Sequence, residues 1–174
     1  MKKFLYGIIL FIAIIIFFAG CTTTTEKNNK VLIHIVTDIK KDDGPPCVAV
    51  DVALTNLRLG NEVEVLFDAN ASWNIKKAED GKNDYDRYDV PADLKKLVNE
   101  QLNDEDLLKL KNFGEFLQML HKKGAKISVN GTWNVLTSVE KTVKGKTNMP
   151  DYVEPLSLKE LALSINNAGT YYRY

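Results

Sequence analysis

Two apolar segments with a helical pattern between them constrain this chain more than any other feature. Val31–Thr37, VLIHIVT, is a nearly continuous apolar run, the composition of a strand buried on both faces of a parallel sheet. Glu62–Asp68, EVEVLFD, is a second strand, with Val63, Val65 and Phe67 on one face. Between them, Val50, Ala53, Leu54 and Leu57 recur at helical spacing, predicting a helix over Cys47–Leu59 that Gly60 stops. Pro45 and Pro46 suit its entry, where a missing N–H costs nothing. Strand, helix, strand in that order is the building unit of a parallel sheet.

The remaining segments extend the same plan. Pro91–Leu102 reads as a helix with Leu94, Leu97, Val98 and Leu102 on one face, and Asp104–Leu110 adds a turn or two. Gly114–Lys123 is a helix burying Phe116, Leu117 and Leu120, with His121 towards solvent, and Gly124 suits its left-handed stop. Ile127 and Val129 then alternate with polar residues as a short strand does, and Asn130-Gly131 turns the chain. A helix is expected over Asn134–Val143, and a short extended piece at Tyr152 and Val153. Leu156–Asn167 is a further helix, capped by Ser157, with Leu158, Leu161 and Ile165 towards the core; Gly169 ends it. Thr170–Tyr174 has the composition of a final strand. The sum is an α/β domain over 31–174: three layers, doubly wound, with a mainly parallel, flavodoxin-like sheet of about five strands. Lys76–Asp89 is its most polar stretch, an exposed insertion whose Tyr85 and Tyr88 pack the loop.

The first thirty residues are of a different kind. Lys2 and Lys3 precede the apolar run Phe4–Ala19, and small residues lead to Cys21, the layout of an export signal over 1–20. The ending FAGC resembles the bacterial lipobox, which implies acylation of Cys21 (palmitate or a similar chain) and attachment to membrane lipid. Residues 21–30, with TTTTEKNNK after the cysteine, read as a flexible tether. The expected location is therefore the bacterial cell envelope, with the domain on the periplasmic or extracellular side.

Composition removes several functions. With 23 basic and 23 acidic side chains the chain has no electrostatic case for nucleic acid. Two cysteines, Cys21 and Cys47, make no disulfide framework. The acids of 76–89 do not have the alternate spacing of a calcium loop, and no metal or cofactor is expected. No Ser-His-acid arrangement or phosphate loop appears, and His34, inside a buried strand, reads as a core histidine with one satisfied nitrogen.

In α/β sheets, ligands gather at the carboxyl ends of strands. That places Asn130, Gly131, Thr132 and Trp133, with Trp73 and Asn74 past the second strand, on the expected binding rim. Cys47, in the first turn of its helix, has the dipole and free amides that favour a thiolate; Asp42 and Asp43 oppose it, and a small buried residue is the plainer expectation.

The segments VLIHIVTD, LRLGNEVEVLFDA, FGEFLQMLHKKGAKISVNGTW and LSLKELALSINNAGTYYRY, in this order, resemble the DsrE/DsrF-like sulfur-relay proteins. The resemblance implies small α/β subunits that assemble as homo- or hetero-oligomers. In active members of that family a cysteine just after the strand that here ends KISVN carries a persulfide. This chain has Asn130 there, and an amide is no sulfur nucleophile. The expectation is a non-catalytic member that binds a small ligand or a protein partner near the Asn130 loop. The alternative is a persulfide carrier that uses Cys47.

Overall fold

The structure is a computed structural model and describes residues 29–174; the expected export signal, Cys21 and most of the expected tether lie outside the described residues. Its frame is a five-stranded sheet in which every pairing is parallel, so the expected α/β class holds and the sheet is parallel throughout. The strands are β1 (Lys30–Ile35), β2 (Glu62–Phe67), β3 (Lys126–Asn130), β4 (Val153–Leu156) and β5 (Thr170–Arg173), in the order β4-β3-β2-β1-β5. The chain steps outward from β1 to β4 and then returns across the whole sheet to place its last strand on the far side of β1. β1 begins one residue inside the expected tether: Lys30 already pairs with Glu62.

Among the described residues six α-helices accompany the strands: α1 (Gly44–Arg58), α2 (Ala92–Leu102), α3 (Asp106–Lys109), α4 (Phe113–Lys122), α5 (Gly131–Leu136) and α6 (Leu158–Asn166). Short 3-10 turns occupy Ala69–Ile75 and Tyr85–Arg87. Alternation along the strands divides the sheet into two unequal faces. Val31, Ile33, Ile35, Val63, Val65, Phe67, Ile127, Val129 and Val153 enter one large core with Ala49, Val50, Ala53 and Leu54 of α1 and Phe116, Leu117 and Leu120 of α4. The other face presents only Leu32, Leu66 and Leu156 as apolar residues, against Leu161 of α6 and Ala168.

Several boundaries differ from expectation for identifiable reasons. α1 starts at Gly44, so Pro45 and Pro46 lie in its first turn. The helix expected over Asn134–Val143 is instead α5, because the Asn130 side chain accepts from Trp133 N and caps a helix at once, while Ser138 takes a left-handed φ of 57° and ends it. Leu97 is exposed, not buried, on α2. On α6, Leu158 (60% exposed) and Ile165 (39%) face solvent, and of the three expected core residues Leu161 alone packs on the sheet. Tyr85 goes the other way: the polar insertion drives it fully into the core, edge-on to Phe67 with ring centres 5.3 Å apart.

Candidate functional site

The thinly covered face owes its polar character to the same alternation that fills the core. On β1, Leu32 and His34 project there; on β3, Ser128 and Asn130 do; Tyr171 and Arg173 of β5 lie in register with Leu32 and His34. Asp68 follows the last residue of β2. At the carboxyl end of the strands these residues join into a row. Tyr171 Oη lies 2.7 Å from His34 Nδ1, and His34 Nε2 lies 3.2 Å from Asp68 Oδ2. Asn130 Nδ2 donates to Asp68 Oδ1 at 2.9 Å, and the Ala69 amide donates to the same oxygen at 2.7 Å. Burial alone would raise the Asp68 pKa, but the bonds from His34, Asn130 and Ala69 outweigh it and hold the carboxyl below its ordinary range.

The expected rim residues meet different fates. Asn130 is buried, and both of its polar atoms are engaged: Oδ1 caps α5 through Trp133 N at 3.1 Å while Nδ2 holds Asp68. Gly131 is wedged against neighbouring backbone; a Cβ there would overlap the Val143 carbonyl oxygen and lie 2.9 Å from that of Leu156. Thr132 and Trp133 are half-buried. Asn74 is fully buried and lines no surface: it donates to Asp38 Oδ1 (2.8 Å) and Asp84 Oδ2 (3.0 Å) and accepts from Ile39 N (3.2 Å), tying three loops together. Trp73 is the exposed member of the pair.

Cys47 is half-buried and packs against the large core, so it is not brought to the Asn130 row on the opposite face. Burial first, then Asp43 and Asp51, push its thiol up to about 11, which overrides any help from the helix start. Among the described residues, no group of His, Cys, Asp and Glu side chains is arranged to hold a metal ion.

A groove of about 510 Å³ opens on the same thin face at the amino end of the strands, bounded by Lys30, Glu62, Glu64, Lys126, Leu163 and Ser164. Glu64 ties its walls: it accepts from Ser128 Oγ (2.6 Å) and Ser164 Oγ (2.8 Å) and pairs with Lys126 Nζ (2.9 Å). This bond to Ser164 is one of the few that fasten α6 to the sheet. The other fastening is at its start, where Ser157 and Glu160 form a reciprocal capping box and Lys144 pairs with Glu160.

Sequence inspection missed the His34–Tyr171 contact because β1 and β5 meet only through the final return of the chain. Its one local trace is a histidine among apolar residues; both of its nitrogens are engaged, where one was expected. No protein-family model matches this chain, and no curated protein matches it in sequence.

Proposed function

We propose that this chain is a membrane-tethered, DsrE/DsrF-like domain that binds a protein partner or another copy of itself rather than carrying sulfur. Its anchor is lipid on Cys21, and the domain stands on the outer side of a bacterial membrane. The observation that carries this reading is the incomplete burial of α6: Leu158 and Ile165 on one flank and Leu163 (46% exposed) on the other remain open to solvent beside a sheet face that one helix only partly covers. A thinly covered sheet face flanked by open apolar side chains is a surface that a partner could cover. It adjoins the Asn130 loop, since Leu156 is in register with Asn130 and leads directly into α6. The chain enters the sheet at Lys30, at the amino end of β1, so the Asn130 row lies at the opposite end from the tether. Among the described residues no helix is long and apolar enough to cross a membrane, which is compatible with attachment by lipid.

The amides at the strand ends are structural and supply no sulfur nucleophile. Asn130 is committed to Asp68 and α5, and Asn74 to Asp38 and Asp84. The alternative carrier, Cys47, stays protonated at neutral pH because burial, and then Asp43 and Asp51, push its pKa up.

Two experiments test the reading. Sedimentation velocity of the detergent-solubilised chain, with Leu163→Glu and Ile165→Glu variants alongside, reports whether the α6 face associates; a monomer that binds nothing and is indifferent to both substitutions refutes it. Incorporation of a palmitate analogue into the native chain but not Cys21→Ser tests the anchor.

A further inference from the structure

The Tyr171–His34–Asp68 row has a direction. An ionised carboxylate only accepts hydrogen bonds, so the nitrogen facing Asp68, Nε2, carries the imidazole proton. In the neutral ring Nδ1 is then a lone-pair acceptor, and the Tyr171 hydroxyl donates to it at 2.7 Å. His34 is 6% exposed, and its ring meets that of Tyr171 edge-on at 5.8 Å. Asp68 is itself fixed by Asn130 and by the Ala69 amide. A hydroxyl bonded to a base that is oriented in turn by a carboxylate is the arrangement that activates a nucleophile. Tyr171 is 45% exposed, so the residue lies at the surface of the domain.

We propose that Tyr171 is a base-activated nucleophile towards small activated esters, with His34 as its base and Asp68 as the residue that positions His34. A bond forms between Tyr171 Oη and the acyl carbon, and the ester's acyl–oxygen bond breaks. The phenolic proton passes to His34 Nδ1 and from there to the departing aryloxide or alkoxide. The product is an O-acyl tyrosine. This inference goes beyond the binding reading and does not depend on it.

Tyr172 is the internal control. It is the next residue on the same strand, alternation turns it to the other face of the sheet, and it is 37% exposed. The test treats the full-length chain, in detergent, with 4-nitrophenyl acetate at neutral pH and locates acetyl groups by peptide fragmentation. The expected result is acetylation of Tyr171 at least about tenfold faster than Tyr172, a conservative share of general-base assistance. His34→Gln and Asp68→Asn should bring Tyr171 down to the rate of Tyr172 and leave Tyr172 unchanged, which a general loosening of the fold would not do. Equal rates at the two tyrosines in the native chain overturn the proposal, as does a fast Tyr171 in a folded His34→Gln variant. The native comparison decides the matter even where both variants fail to fold.

Discussion

Asn130 reaches across neighbouring strands to hold Asp68, donating from Nδ2 to Oδ1 at 2.9 Å while its own oxygen caps the next helix. One side chain thus sets the end of β3, the start of α5 and the orientation of the carboxylate facing His34. Asn130→Ala removes the cap and one partner of a half-buried acid together. The expected loss is about 2 kcal/mol, read by urea denaturation.

Gly131, the next residue, has no room for a side chain. Gly131→Ala would force a methyl group into the backbone carbonyls of Val143 and Leu156. The cost should be about 3 kcal/mol. Thermal melting of the variant measures it.

Two carboxylates give opposite pH dependences. Asp68 has a folded pKa below its ordinary value, so its stabilisation is present above the usual carboxylate range and is lost as pH falls through the folded value. Asp51 is raised to about 6 by burial, so the folded state holds its proton more tightly than the unfolded chain does. Stability from Asp51 is therefore full below the ordinary carboxylate value and fades as pH rises towards 6. Asp51→Asn should stabilise the protein at pH 7 by about 1 kcal/mol, allowing for partial solvent screening, and do nothing at pH 3. Denaturation midpoints at the two pH values check the sign.

Cys47 offers a kinetic test. With its pKa near 11, only on the order of one thiol in ten thousand is ionised at pH 7. Alkylation of the folded chain should be slower than that of a cysteine peptide, rise steeply above pH 9, and accelerate on unfolding. A fast reaction at neutral pH would return Cys47 to candidacy as a sulfur carrier.

Helix α6 contains no fully buried residue and is fastened mainly at Ser157 and Ser164. Its amides should exchange with solvent ahead of those of α1 and α4, since local opening is easiest where little apolar surface is hidden. Ser157→Ala, which breaks the capping box, should speed that exchange by several-fold, about 1 kcal/mol, without a comparable change in α1.

The strands were legible in the sequence because parallel strands buried on one or both faces are written as dense apolar runs; VLIHIV and EVEVLF needed little else. Helix α6 was legible as a helix but not in its burial. Leu158, Leu161 and Ile165 share a helical stripe, yet a periodic stripe says only that one side is apolar, not how much sheet is left to receive it. Asn130-Gly131 reads as a turn because the same short amide chemistry serves turns and helix caps alike. Nothing local announces the His34–Tyr171 bond: its partners are 137 residues apart, and only the return of the chain from β4 to β5 joins them.

The pairing of the first strand with the last has a consequence for biogenesis. β1 takes β5 along its open side, and Asn29 Nδ2 donates to Thr170 Oγ1 at 2.6 Å, across 141 residues of chain. During vectorial synthesis from the amino terminus, the opening strand stays a raw edge until the closing segment emerges. A polypeptide interrupted anywhere before Thr170 leaves that edge bare, available to stray strands and to quality-control proteases. β5 thus decides whether β1 is an inner strand or an open edge.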